Sequence, residues 1–146
     1  MLVSTFALFT SSVFANDARL NHTKAVDCDQ AYSTIEINEC AALTLAKAQA
    51  QLTEYLAASL THNADDTELV AAINTAQQTW QQYMTAQCDA IYTQWRDGSL
   101  RGLMALRCKT KLTQLRTHEI WENWLTYMDS TPPVLPEPTL TTINNQ

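Results

Sequence analysis

The chain has 146 residues, a formal net charge of −6 and a pI near 4.8. This length predicts one domain with a sizeable hydrophobic core. The acidic balance disfavours nucleic acid or an anionic membrane as a general partner and suits a basic one. Only two glycines occur, while Ala, Leu, Gln and Thr are abundant, so the composition favours helices over strands joined by tight turns.

The first fifteen residues, MLVSTFALFTSSVFA, form a short apolar run that ends in the small-x-small pattern of a cleavage site. The run is too short to span a bilayer, and no later stretch is long and apolar enough to do so. We therefore expect residues 1–15 to be a cleaved signal peptide. The mature chain would begin near Asn16 with an irregular arm over residues 16–32, and it would not insert into a membrane.

The first helix is predicted to begin near Ser33, because Ser33 and Glu36 have the spacing of a capping box. It extends to about Leu60, and residues 62–64 form the turn that follows. The residues expected on its buried face share helical spacing; they are Ala41, Leu45, Ala48, Leu52, Tyr55 and Leu56.

The second helix is predicted to be the one against which the others pack. Asp65 and Glu68 repeat the capping-box spacing at its start, and it runs to about Tyr92. Its apolar stripe has spacings of three and four and consists of Ile73, Gln77, Trp80, Met84 and Cys88. The stripe is widened by Leu69, Ala76, Tyr83 and Ile91.

Residues 94–102, QWRDGSLRG, form the most loop-like internal segment and contain both glycines. Each glycine is expected to adopt a backbone conformation that a Cβ would resist. A third helix should cover residues 103–128, with a core face made of Leu106, Leu112, Leu115, Trp121, Trp124 and Leu125. Residues 129–146 hold all four prolines and little that could pack, so this tail is expected to be disordered or extended.

Charge is unevenly distributed along the chain. Residues 96–116 contain six basic residues and the single acid Asp97, which gives this segment a charge of +5, whereas the remainder carries −11. Such a segment is either an ordinary solvated helix face or a site for anions.

Four cysteines in a short and apparently exported chain predict two disulfides. A zinc site is the alternative, but no CxxC pair is present. Antiparallel helices would bring the end of the second helix level with the early turns of the third, which favours pairing Cys88 with Cys108 and Cys28 with Cys40. A crossed pairing remains open.

No catalytic motif is found. The three histidines have no ligand spacing, and His118-Glu119-Ile120-Trp121-Glu122 lacks the second histidine of an HExxH zinc motif. GxSxG, P-loop and GxGxxG patterns are absent. We therefore predict neither an enzyme nor a metal or cofactor site.

Several motifs occur in a fixed order and spacing over residues 28–120. They are the four cysteines, TIEINECA at 34–41, LxxY at 52–55, AQxxW at 76–80, Gly98-Ser99 and LTxxR at 112–116. In this order they resemble the lysozyme inhibitor LprI-like N-terminal domain family. Three stretches depart from the family pattern: Thr53 replaces a frequent Asn, MTAQ at 84–87 replaces an acidic run with arginine, and DGS at 97–99 replaces a double glycine.

The resemblance implies a small exported helical domain that binds another protein, with a lysozyme as the namesake target. Gln77, Trp80 and Arg116 of the shared motifs have structural explanations: Gln77 hydrogen-bonds while Trp80 packs, and Arg116 closes a helix end or pairs with Glu36 or Glu39.

The sequence as a whole predicts an all-α, antiparallel bundle of three main helices joined by two disulfides, with the helical domain over residues 16–128. Its function would be that of a periplasmic or secreted binding protein, with a basic lysozyme as candidate partner. From charge and expected exposure, Arg96, Ser99 and Arg101 are the candidate partner-binding residues. The alternative is an envelope interaction or structural module without lysozyme activity.

Overall fold

The computed structural model describes residues 25–139. Within this range the chain forms a short 3₁₀ turn, Cys28–Gln30, and three helices: α1, Thr34–His62; α2, Thr67–Gln94; and α3, Arg101–Trp124. No strand occurs among these residues. The predicted all-α bundle of three main helices is confirmed. The predicted signal peptide lies outside the described residues.

The start of α1 is a complete capping box, as predicted. The backbone N–H of Glu36 donates to Ser33 Oγ at 3.2 Å, and the backbone N–H of Ser33 donates to Glu36 Oε2 at 2.9 Å. The bond from the Ser33 backbone, together with bonds from the Ser33 hydroxyl at 2.8 Å and from the Tyr32 backbone, lowers the pKa of the Glu36 carboxyl because these donors favour its charged form. The helix therefore begins where local side-chain chemistry satisfies its free N–H groups.

The start of α2 and both termini of α3 differ from the predicted positions. Asp66, not Asp65, caps α2, because its Oδ1 accepts from the backbone N–H of Leu69 at 2.9 Å. Helix α3 begins at Arg101 and ends at Trp124, four residues before the expected end. It ends there because the next residue, Leu125, is fully buried and its carbonyl accepts from Val134 N–H at 2.8 Å.

Helix α3 is the central element of the bundle. It packs against α1 over the largest contact and also against α2, whereas α1 and α2 make few contacts with each other. The prediction that α2 organises the fold is wrong. Helix α3 can pack against both neighbours because small buried side chains along it allow close approach; these are Thr110, Thr113 and Thr117.

The hydrophobic core is concentrated between α1 and α3. Its fully or nearly buried cluster consists of Leu52, Tyr55, Ile120 and Leu125. On α2, Ile73, Gln77 and Cys88 are buried as predicted, and Trp80 is half-buried against the core cluster. Tyr83 and Leu115 were expected in the core, yet they are 54% and 42% exposed. Each lies at the edge of its helix's apolar stripe, beyond the reach of the neighbouring helix.

The described part of the tail packs on the bundle. Trp121 Nε1 donates to the carbonyl of Leu135 at 2.9 Å, and the hydroxyl of Tyr55 donates to the carbonyl of Pro136 at 2.7 Å. Burial raises the pKa of the Tyr55 phenol, which keeps this donor protonated. The segment is extended, but the expectation that it holds little that could pack is wrong for residues 134–138, because Leu135 joins the core cluster.

Both disulfides are present, and their pairing is the one predicted: Cys28–Cys40 and Cys88–Cys108. The first fixes the 3₁₀ turn to α1, and the second joins the last turns of α2 to the early turns of α3. By the loop-entropy relation each contributes roughly 3 kcal/mol to stability. Within residues 25–139, no helix has the length and apolar character needed to cross a membrane.

Candidate functional site

The loop between α2 and α3 lies at the same end of the bundle as the start of α1. The side chain of Asn38 on α1 stands beside Gly102 on α3, where a Cβ would lie only 3.1 Å from Asn38 Oδ1. We call this end, made of residues 25–38 and 92–107, the loop end. It brings together the 3₁₀ turn, the start of α1 and the loop at residues 95–100.

The loop is a run of tight turns without left-handed backbone. Gly98 N–H donates to the carbonyl of Trp95 at 2.9 Å, and neither glycine has a positive φ. The expectation of a special backbone conformation at each glycine is therefore wrong. Only Gly102 is needed for space, because the two helices approach closely at Asn38, whereas a Cβ at Gly98 would make ordinary contacts.

The three candidate binding residues are all exposed on or beside this loop. The Arg96 side chain is 68% exposed and lies 3.9 Å from the carboxylate of Asp97, a surface pair of little energetic weight. Arg101 lies over the ring of Tyr92 at 5.2 Å and donates through Nη1 to the carbonyl of Arg96 at 3.4 Å. These contacts orient the Arg101 cation, while Arg96 and Ser99 remain open to solvent.

Large apolar side chains are also exposed at the loop end, a feature that the helical periodicity did not indicate. Tyr32 and Ile35 are 81% and 79% exposed, and Trp95 and Leu100 are each 41% exposed. Aromatic and aliphatic residues beside arginine are the composition of protein-binding surfaces. In the sequence, the only sign was that Tyr32 precedes α1 and that Ile35 lies off the buried stripe of that helix.

A cleft of about 620 Å³ opens at the loop end between α1 and α3. We call it the apolar cleft. Its walls include Cys28, Ile37, Cys40, Leu100, Met104 and Arg107. Arg107 is the one charged side chain in its lining, and it forms no ion pair with any other residue of the described 25–139.

Arg116 and Gln77 form a buried polar pair between α3 and α2. Arg116 Nε donates to Gln77 Oε1 at 3.1 Å, and Nη1 donates to Glu119 Oε2 at 3.1 Å. The guanidinium also lies 5.4 Å from the ring centre of Trp124. Arg116 thus does not pair with Glu36 or Glu39, because both lie at the opposite end of the bundle from its position on α3.

The described histidines contact residues that follow α3 in the chain. His118 Nε2 lies 3.1 Å from Glu137 Oε1, and His62 Nε2 lies 3.5 Å from the Tyr127 hydroxyl. Over residues 25–139, no three side chains among His, Cys, Asp and Glu are placed to hold a metal ion.

A family model described as lysozyme inhibitor LprI matches residues 27–120. The chain belongs to the LprI family. An uncharacterized protein from Rhizobium meliloti (strain 1021) is 30% identical over 107 residues; the match covers 66% of this chain and 77% of that protein. No solved structure matches the chain.

The LprI segment contains most of the features described above. It includes all four cysteines, the loop at residues 95–100 and the lining of the apolar cleft, whereas the packed part of the tail at 134–138 lies beyond it. The buried Gln77–Arg116 bond joins the AQxxW motif of α2 to the LTxxR motif of α3. These two LprI motifs therefore meet in the interior, and the exposed chemistry lies at the loop end.

Proposed function

We propose that this protein is an exported inhibitor of a lysozyme, that it is not an enzyme, and that it acts in the periplasm or outside the cell. Membership in the LprI family supports a protein target. The two disulfides favour an oxidising compartment, and the predicted signal peptide at residues 1–15 agrees with export.

The inhibitory element in this proposal is the loop end, with Arg96, Ser99 and Arg101 in contact with the target. A c-type lysozyme is a basic protein whose cleft is lined by two catalytic carboxylates. Arginines presented on a narrow loop can enter such a cleft and give charge-assisted hydrogen bonds to carboxylates. The single observation that supports this step is the exposure of both arginines at one end of the bundle, Arg96 in the loop and Arg101 at the first position of α3.

The rest of the molecule suits the same partner electrostatically. Outside residues 96–116 the chain carries −11, which attracts a basic protein and speeds its encounter at low salt. Binding would then be oriented, because the acidic body faces the basic surface of the lysozyme while the cationic loop meets its acidic cleft.

The test compares two variants of the mature protein in a cell-wall lysis assay with c-type lysozyme. Replacing Arg96, Ser99 and Arg101 together by alanine should weaken inhibition by at least about tenfold, since it removes the central donors of the interface. The melting temperature should stay nearly unchanged because all three side chains are exposed.

The matched control is Lys47→Ala/Lys111→Ala, which also removes two cations, both of them from exposed positions outside the loop. It should inhibit within about twofold of the unmodified protein, the small effect usual for surface substitutions. Full inhibition by the triple variant would discard the role of the loop. Failure of the unmodified protein to inhibit lysozymes of any class would discard the function and favour an envelope interaction module with another partner.

A further inference from the structure

The apolar cleft adjoins the proposed inhibitory loop. Leu100 is the last residue of the loop and also part of the cleft wall. Ala31, in the opposite wall, is followed by the exposed Tyr32. A surface that contacts Arg96 and Arg101 is thus next to the cleft, because Leu100 belongs to both the loop and the cleft wall.

The lining of the cleft defines what can occupy it. Its walls are mainly apolar, and its volume of about 620 Å³ is that of a site for a compact ligand or a projecting piece of chain. Arg107 adds one cation that has no carboxylate partner among residues 25–139. A half-buried cation beside apolar walls favours an occupant that brings a carboxylate next to an apolar group.

The exposed rim favours a protein as the source of that occupant. Tyr32 and Ile35 are the two most exposed large apolar residues of the loop end, at 81% and 79%. Apolar rims of this kind become buried when a second surface covers them. A small molecule inside the cleft would leave both side chains in water.

We propose that the apolar cleft receives a projecting segment of the target lysozyme, in which an apolar side chain stands next to a carboxylate that binds Arg107. This inference rests on the proposed function and adds a second contact to it. The loop cations would enter the acidic cleft of the lysozyme, while the apolar cleft of the inhibitor would hold a segment beside that cleft. Such a contact selects among lysozymes, because only those with a suitable projecting segment fill it.

The first test variant fills the cleft with a larger side chain and leaves the loop residues unchanged. Thr44 lines the cleft from an exposed position on α1, and its hydroxyl donates to the carbonyl of Cys40 at 2.9 Å. Thr44→Trp should weaken binding to c-type lysozyme by about tenfold or more, because the indole occupies the space of the incoming side chain. Thr85→Trp is the matched control, since Thr85 is exposed on α2 and makes the same bond to Gln81.

Arg107→Met is the second variant and keeps the length and apolar stem of the side chain. It should weaken binding by about tenfold to a hundredfold, the usual effect of losing a hydrogen bond to a charged group. The measurement is the dissociation constant by calorimetry, with a melting curve for each variant to confirm that it folds.

The outcomes separate the two proposals. Weaker binding by Thr44→Trp and Arg107→Met, with Thr85→Trp unchanged, would support the cleft contact. Unchanged binding by both cleft variants, while the unmodified protein binds and inhibits, would overturn the cleft contact alone. No binding of any lysozyme by the unmodified protein would overturn both. If the protein alone forms a concentration-dependent dimer that Thr44→Trp abolishes, the occupant of the cleft is a second copy of this chain and the proposed lysozyme contact in the cleft is overturned.

Discussion

The buried hydrogen bond between Gln77 and Arg116 is expected to contribute measurably to the free energy of unfolding. Arg116 is 8% exposed and Gln77 is 6% exposed, so both groups are desolvated. Arg116 Nη2 is buried without a hydrogen-bond partner among the described residues, so the cation already depends on its bonds to Gln77 and Glu119. Gln77→Leu removes one of these two bonds while keeping a side chain of similar size. We expect it to lower the free energy of unfolding by about 2–3 kcal/mol, the cost of leaving a buried charged donor unpaired.

The double variant Gln77→Leu/Arg116→Met tests whether the two side chains stabilise the protein through their contact with each other. Arg116→Met should cost about 1–2 kcal/mol, because it loses the hydrogen bonds and the contact with Trp124 but no longer buries a charge. Adding Gln77→Leu to Arg116→Met should then cost far less than Gln77→Leu alone, with a coupling of about 1–3 kcal/mol between the two sites. Replacing both partners by apolar groups removes the unpaired cation.

Urea unfolding followed by far-UV circular dichroism, with both disulfides intact, measures these values. Gln78→Leu is the control, because Gln78 is the exposed neighbour on the same helix and its substitution should change stability by less than about 0.5 kcal/mol. Strictly additive effects of Gln77→Leu and Arg116→Met would refute the pair. An effect of Gln77→Leu no larger than that of Gln78→Leu would do the same.

Three further predictions follow from local geometry. Because hydrogen bonds lower the folded-state pKa of Glu36, its stabilising contribution is present above the ordinary value of 4.5 and is lost as the pH falls through the folded-state value. Acid titration of unfolding should therefore show a smaller loss of stability for Glu36→Gln. Gly102→Ala should destabilise the protein by up to about 2 kcal/mol in the same urea assay, because crowding of its Cβ against Asn38 Oδ1 at 3.1 Å outweighs the gain in helix propensity of up to about 1 kcal/mol. During timed thiol labelling, dithiothreitol should release the exposed Cys28 before Cys88, which is fully buried; simultaneous release would contradict the difference in access.

Local signals in the sequence located the three helices to within a few residues, and the antiparallel arrangement favoured the observed disulfide pairing while leaving a crossed one open. The start of α1 was predicted correctly because the capping box at Ser33 depends only on residues three positions apart. The pairing of Cys88 with Cys108 followed from antiparallel topology, since the end of α2 and the start of α3 must lie level. Helical spacing likewise predicted burial of Ile73.

Features that depend on tertiary packing could not be predicted from the sequence. Helix α3 was not recognised as central because its buried face includes Thr113 and Arg116, residue types that periodicity analysis treats as solvent-facing. The packed tail was missed because Leu135 is buried only once Trp121 and the core between α1 and α3 are assembled. A single apolar residue among prolines gives no periodic signal.

Of the features at the loop end, the exposure of the loop residues could be predicted from the sequence and the cleft could not. The exposure of Arg96, Ser99 and Arg101 followed from their position in a short, glycine-containing connection, and the structure places all three on the surface. The apolar cleft could not be predicted, because its walls come from the 3₁₀ turn, α1 and α3, three segments whose approach depends on the fold.

The central claim is that the loop end occupies the catalytic cleft of a lysozyme. The most direct measurement is the dissociation constant for c-type lysozyme, with and without a chito-oligosaccharide that fills that cleft. If the loop with Arg96 and Arg101 enters the cleft, the apparent dissociation constant should rise in proportion to saccharide concentration above the saccharide's own affinity. A dissociation constant that stays constant at saturating saccharide would show that the protein binds elsewhere on the lysozyme and would contradict the account.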